Sequence, residues 1–307
     1  EDHIRTAVGA SAQDQFIFAT SGKEAMQKVF LAVYLDLVRE TGRTHLLPYS
    51  HTSSPALLER MERLGCLVKP IAMDANGALS CAGLEAQLRA RTALVSLPWV
   101  DPFTGSIHPV LEIAKLCRER EVLLHVDASD ALGKFFFRFQ DYPIDFLTFD
   151  GFSVNATPGT GGLLVRKEKF SKSLALDLEN SKSAATIPLA DALKRQVEEI
   201  DQSVMEMARR RNRFEEKLLA QLSDISILGA ENERVAHISA IAFEGVHQEA
   251  VLFFLERKKI FASLHNARDD ALKFVLTEET SDHEIDRAVD ILTSSVQKLR
   301  SFSPVLS

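Results

Sequence analysis

Three neighbouring stretches, TALVSL (Thr92–Leu97), VLEIAKLCRE (Val110–Glu119) and VLLHV (Val122–Val126), read as strand, helix and buried strand. A strand, a crossover helix and a second strand make the repeating unit of a parallel sheet. The same alternation extends to both sides. Upstream, Phe16-Ile17-Phe18 predicts a short strand, and from Ser21 to about Val38 apolar Ala25, Val29, Ala32, Val33 and Leu37 recur at helical spacing. Pro55–Leu64 then reads as helix, Leu67–Ile71 as strand and Cys81–Ala90 as helix. Downstream, Phe146–Phe149 and Gly162–Val165 predict strands, the second after a Gly-rich turn. A large α/β domain is therefore expected to end near residue 180.

Beyond it, a long charged helix is expected from Ile187 to Leu222, with Arg209, Arg210 and Arg211 on a solvated face. Ala236–Phe243 as strand, Gln248–Arg257 as helix, Leu272–Leu276 as strand and Asp282–Leu299 as amphipathic helix make a smaller α+β domain. The expected division is residues 1–186 for the large domain and 187–307 for the long helix with the small domain. There is no internal repeat and no low-complexity tract.

With 307 residues, 46% hydrophobic and 26% charged, the chain can bury a substantial core. Its 36 basic and 43 acidic residues give a net charge of −7, which argues against a nucleic-acid or anionic-membrane partner. Cys66, Cys81 and Cys117 are an odd, widely spaced set, suggesting neither a disulfide framework nor a thiolate zinc site and pointing to a reducing cytoplasm. No apolar run approaches the ~20 residues that span a bilayer. The scattered histidines lack metal-ligand spacing, and neither a Gly-x-Ser-x-Gly elbow nor a Walker loop is present. The start at Glu1 rather than Met leads to an expectation of processing or trimming upstream.

Four stretches carry a resemblance in order and spacing: Thr20-Ser21-Gly22; His51 after Pro48-Tyr49-Ser50; His125-Val126-Asp127-Ala128; and Pro158-Gly159-Thr160-Gly161-Gly162 running into Leu163-Leu164-Val165-Arg166. Leu132-Gly133-Lys134 and Gly245-Val246-His247 add to them. Together they resemble the cysteine desulfurases, within the class V aminotransferases that depend on pyridoxal phosphate. The resemblance implies an aspartate aminotransferase-like fold, with a mostly parallel seven-stranded sheet, a small C-terminal α+β domain and a homodimer. The family begins with a further N-terminal segment, which is expected to be absent here.

By the same resemblance, Gly22 opens a helix whose N–H groups and positive dipole end receive the cofactor phosphate. His51 matches the histidine stacked on the pyridine ring, and Asp127 the carboxylate paired with the ring nitrogen. Lys23 and Glu24 follow the turn where the family writes Ala-Thr, so a carboxylate replaces a hydroxyl donor; Lys23 either offsets that charge or is an ordinary first-turn residue. Counting back from Arg166 places Ser153 at the Schiff-base lysine, Phe152 at the adjacent histidine and Asp150 at a phosphate-binding serine. No lysine lies between Lys134 and Lys167. Asp130 replaces a glutamine three residues after the ring-pairing position. Thr186 resembles the threonine that reaches a neighbouring subunit's phosphate, and Lys273 stands at the arginine that grips the substrate carboxylate. The stretch Phe261–Arg268, where a desulfurase carries its nucleophilic cysteine, has none.

An imine needs a primary amine, and serine cannot supply one. The expectation is therefore a degenerate, catalytically inactive homologue, with pyridoxal phosphate not covalently bound or absent. Its role would be a binding or regulatory one, with an active desulfurase paralogue or a sulfur-transfer protein as partner. The alternative is a pyridoxal-phosphate transferase of altered chemistry, or a site completed by a partner subunit.

Overall fold

The alternation around residues 92–127 closes into a sheet because its strands are apolar on both faces. Thr92–Pro98 is buried along its whole length, as a parallel strand covered by helices on either side requires. In the computed structural model, which describes residues 1–49, 54–72, 79–169, 171–180, 183–265, 268–277 and 279–302, seven strands pair. They are Gln15–Ala19 (β1), His45–Pro48 (β2), Leu67–Val68 (β3), Thr92–Pro98 (β4), Leu123–Asp127 (β5), Phe146–Asp150 (β6) and Gly161–Val165 (β7). Their order is β1-β7-β6-β5-β4-β2-β3. Strands β3, β2, β4, β5 and β6 run parallel. Strand β7 returns antiparallel between β6 and β1. The expected seven-stranded, mostly parallel α/β sheet is thus present.

Some elements differ from their expected extent. The strand expected over 67–71 is two residues long: Pro70 has no N–H to give, although Lys69 and Ile71 still donate to the carbonyls of Leu46 and Pro48. The helix expected over 81–90 is Cys81–Glu85. The expected helix from Ser21 to Val38 is Gly22–Val33, continued by a wide turn over Tyr34–Val38 and a last turn at Arg39–Thr41. Gly42, at φ +70°, ends it in the left-handed conformation that glycine adopts without a Cβ penalty.

Helix Gly22–Val33 lays Ala25, Met26, Val29, Phe30 and Val33 against Ile17, Phe146, Leu163 and Val165 of the sheet. Each large side chain buried this way contributes about 1.5–3 kcal/mol. That anchors the helix start against the ends of β6 and β7.

The chain divides into two compact units, Glu1–Pro102 with His108–Ile200, and Phe103–Ile107 with Asp201–Ser307. The division falls inside the long helix Thr186–Gln221, past its start. In the second unit Ile225–Ile227 (β8), Ile238–Phe243 (β9), Ser263–Leu264 (β10) and Ala271–Val275 (β11) form an antiparallel sheet, ordered β10-β11-β9-β8. Phe214, Leu218, Ile241, Phe243, Leu255, Leu272, Val289 and Val296 are among its buried core. The arginine tract on the long helix is paired as well as solvated: Arg209 meets Asp282 at 2.8 Å and Arg213 meets Asp286 at 2.7 Å.

Gly162 sits where two aromatic rings leave no room for a side chain. A Cβ there would lie 2.4 Å from Cε2 of Phe16 and 2.7 Å from Cζ of Phe149. Gly162→Ala is therefore expected to lower unfolding stability by about 1–3 kcal/mol, read from the urea midpoint. A midpoint equal to that of the parent would contradict this packing.

Candidate functional site

Ligands of open parallel sheets gather outside the carboxyl ends of the strands, and here those ends carry a row of polar side chains. Tyr49 follows β2, Asp101 follows β4, Asp127 ends β5 and Asp150 ends β6. The Tyr49 hydroxyl donates to Asp101 Oδ2 at 2.6 Å, and both residues are buried. Burial, then the Asp101 carboxylate, pushes the Tyr49 phenol far above its usual range. The His108 ring stands 5.2 Å from that of Tyr49, and its Nε2 has no hydrogen-bond partner among the described residues. Burial lowers His108 to about 4, against the opposing pull of Asp101, so it is neutral at physiological pH.

His125 lies inside the sheet rather than at its edge. One ring nitrogen faces Ser96 Oγ at 2.8 Å and the other Thr148 Oγ1 at 2.8 Å. Burial drives it down to about 3, and a neutral ring with one donor and one acceptor satisfies both neighbours. It ties β4, β5 and β6 together just behind the site.

Asp127 Oδ1 accepts from the N–H of Ser129 at 3.0 Å and from its hydroxyl at 2.7 Å. Burial raises Asp127 to about 6; Ser129 opposes that rise, and the carboxylates of Asp130 and Asp150 add to it. Its surface is nevertheless only partly covered. The Ser129 oxygen also accepts the Asp150 N–H at 3.0 Å, so one hydroxyl joins the ends of β5 and β6. The only sequence signal at Ser129 is an Asp-x-Ser spacing suited to a local side-chain turn.

At the start of helix Gly22–Val33, Ser21 is extended and its Oγ accepts from the N–H of Glu24 at 3.2 Å, a conventional N-cap. The Gly22 N–H donates to Asp150 Oδ2 at 3.1 Å, while Asp150 Oδ1 accepts from the Phe152 N–H at 2.9 Å. Glycines let these parts meet: a Cβ on Gly161 would lie 2.6 Å from the Ser21 carbonyl carbon, and one on Gly22 3.1 Å from the Asp150 nitrogen. Glu24 folds back to accept from the Thr20 N–H at 2.8 Å and from the Thr20 hydroxyl, and pairs with Lys28 at 3.3 Å. Burial raises the Glu24 carboxyl, but Thr20 and Lys28 outweigh it and hold the group below the usual range. The charge partner of Glu24 is thus Lys28, while Lys23 is exposed.

The Ser153 hydroxyl donates to the Asp150 carbonyl at 2.6 Å, and the Phe152 side chain is 76% exposed. The partly buried Asp130 follows Ser129 just beyond β5. Gly22, Asp127, Asp150 and Ser153 are thus linked, directly or through Ser129. Thr186 opens the long helix, its N–H donating to the Ser183 carbonyl at 3.2 Å. Lys273 lies in β11 of the second unit, opposite Ala240 and Ser263. His51 lies outside the described residues.

All three cysteines are free, and burial raises each thiol, Cys117 to about 12. Among the described residues no His, Cys, Asp and Glu group could hold a metal, and no helix is long and apolar enough to cross a membrane.

Residues 1–178 match the family described as aminotransferase class-V. A cysteine desulfurase of Nostoc sp. is 26% identical over 335 residues, spanning 99% of this chain and 82% of the relative. One from Bradyrhizobium diazoefficiens is 28% identical over 327 residues, spanning 96% and 82%. Among solved structures, a NifS-like protein superposes with a TM-score of 0.85 at 18% identity, over 97% of this chain and 86% of the other. DndA from Streptomyces lividans gives 0.74 at 25% identity, over 90% and 86%.

The raised Asp127 carboxyl makes stability depend on pH in a definite direction. Its protonated form is favoured on folding, so its contribution is full below the ordinary aspartate range and is lost as pH rises through about 6. A rise of this size corresponds to at most about 3 kcal/mol, and partial exposure screens it to roughly 1–2 kcal/mol. Asp127→Asn should therefore be the more stable protein at pH 7–8 by roughly that amount, with the difference vanishing near pH 4. Urea unfolding across this range measures it; a variant less stable than the parent at pH 8 would contradict the assignment.

Proposed function

The chain belongs to the aminotransferase class-V family, and from that premise we propose that it is a cysteine desulfurase-like protein that performs no imine chemistry of its own and serves as a binding or regulatory partner. One observation carries this reading. Where the resemblance puts the Schiff-base amine, the chain has Ser153, whose hydroxyl is engaged with the Asp150 carbonyl at 2.6 Å. No lysine lies between Lys134 and Lys167 to take over, and a hydroxyl neither captures an aldehyde as an imine nor shuttles a substrate proton as an amine does.

Pyridoxal phosphate does not fit the residues present. The helix N–H that would receive its phosphate already donates to the Asp150 carboxylate. A further negative group about 4 Å away would be repelled by about 4 kcal/mol per charge at an effective dielectric near 20. Desulfurase chemistry also needs an accessible thiolate, whereas Cys66 and Cys117 are buried and all three thiols are shifted upward, away from the thiolate.

Three further points belong to the same proposal. The free cysteines favour a cytoplasmic protein, and the resemblance favours a homodimer. The partner we infer is an active desulfurase paralogue or a sulfur-transfer protein.

Incubated with pyridoxal phosphate, the purified chain is expected to show no aldimine band near ~420 nm and to release no alanine from cysteine. Saturable yellow colour with turnover would overturn the proposal. Activity arising only on mixing with a lysine-bearing paralogue would favour instead a site completed by a partner subunit.

A further inference from the structure

The Asp150 carboxylate is held more firmly than an incidental surface acid. Its two oxygens accept from the N–H groups of Gly22 and Phe152, at 3.1 and 2.9 Å. Its own N–H donates to Ser129 Oγ at 3.0 Å, and its carbonyl accepts from the Ser153 hydroxyl at 2.6 Å. Strand β6 fixes it from one side and the Phe152–Val154 turn from the other. Side chain and main chain are therefore set before any ligand arrives.

The helix it caps is twelve residues long, with its positive end at Gly22. The Asp150 carboxylate takes on Oδ2 the Gly22 N–H, a helix-end donor and dipole that an external oxyanion would use, and on Oδ1 the Phe152 N–H of the turn that follows β6. Because it belongs to the chain, it competes as an intramolecular group at high effective concentration. An incoming anion would have to displace it and also meet the negative field of Asp127, Asp130 and Glu24.

We propose that Asp150 is a built-in occupant of this oxyanion cradle, an autoinhibitory contact that keeps phosphate groups out. The inference rests on the reading of the Gly22 turn as a former phosphate site and deepens it: the site is filled from within rather than dismantled. Removing the carboxylate frees the Gly22 and Phe152 N–H groups together. A latent site for a phosphate monoanion or dianion then opens at the helix end.

Inorganic phosphate is the probe, with the amide signals of Gly22 and Phe152 followed in nitrogen-correlated NMR spectra. In the parent protein neither signal is expected to move saturably. In Asp150→Ser both should move together, with phosphate binding at least tenfold tighter than in the parent. The near-isosteric Asp150→Asn, which keeps the fold if the serine variant does not, should also gain affinity. Saturable phosphate binding at Gly22 in the parent would overturn the proposal, and so would a folded variant that gains nothing. The measurement uses no pyridoxal phosphate, so its failure is distinct from the appearance of imine colour.

Discussion

A single hydrogen bond, from the Gly22 N–H to Asp150 Oδ2, organises the carboxyl edge of this sheet. It joins residues 128 positions apart, and it exists because the start of a helix and the end of a strand are pressed together with no side chains between them. Gly22 and Gly161 allow that approach. The carboxylate gives the first peptide N–H of the helix a partner of favourable charge. From Asp150 the network passes through Ser129 to Asp127, so three strand and helix ends share one set of hydrogen bonds.

Such a network supports structure more readily than chemistry. His125, buried and neutral between Ser96 and Thr148, serves as a pin through three strands. Asp127 keeps a proton to unusually high pH because it is enclosed beside other carboxylates. A carboxyl raised to about 6 is still mostly ionised at neutral pH, so it adds to the negative charge at this edge of the sheet. Cys66 and Cys117 are buried, with their thiols shifted toward the protonated form, and the serine hydroxyl is turned to a main-chain carbonyl. His125, Asp127, Asp150 and Ser153 are each engaged by neighbours within the chain, consistent with the proposal that binding has replaced catalysis.

Much of the architecture was legible because periodicity survives in the long segments. The strand, helix and strand over 92–127, the long helix from Thr186 and the last helix announced themselves through burial patterns. His45–Pro48 did not, because four residues ending in proline carry no period, and Ile225–Ile227 is shorter still. The wide turn at Tyr34–Val38 keeps an apolar rhythm close to that of an α-helix, so sequence could not separate the two. At the site, residue types were legible but their partners were not. In sequence, Asp150 and Glu24 stand as carboxylates where the resemblance places hydroxyl donors. That Asp150 caps the helix, and that Glu24 turns back to Thr20 and Lys28, depends on contacts between distant segments. A serine beside an aspartate is common and carries little signal, and only the Asp150 N–H reveals the role of Ser129 as a bridge.

Intact-mass and peptide mapping after treatment with pyridoxal phosphate and borohydride tests the absence of imine chemistry most directly, because reduction makes any imine permanent. The account predicts an unchanged main species, with at most scattered substoichiometric labelling of exposed lysines. A stoichiometric adduct on one lysine would contradict it and move the site to that residue.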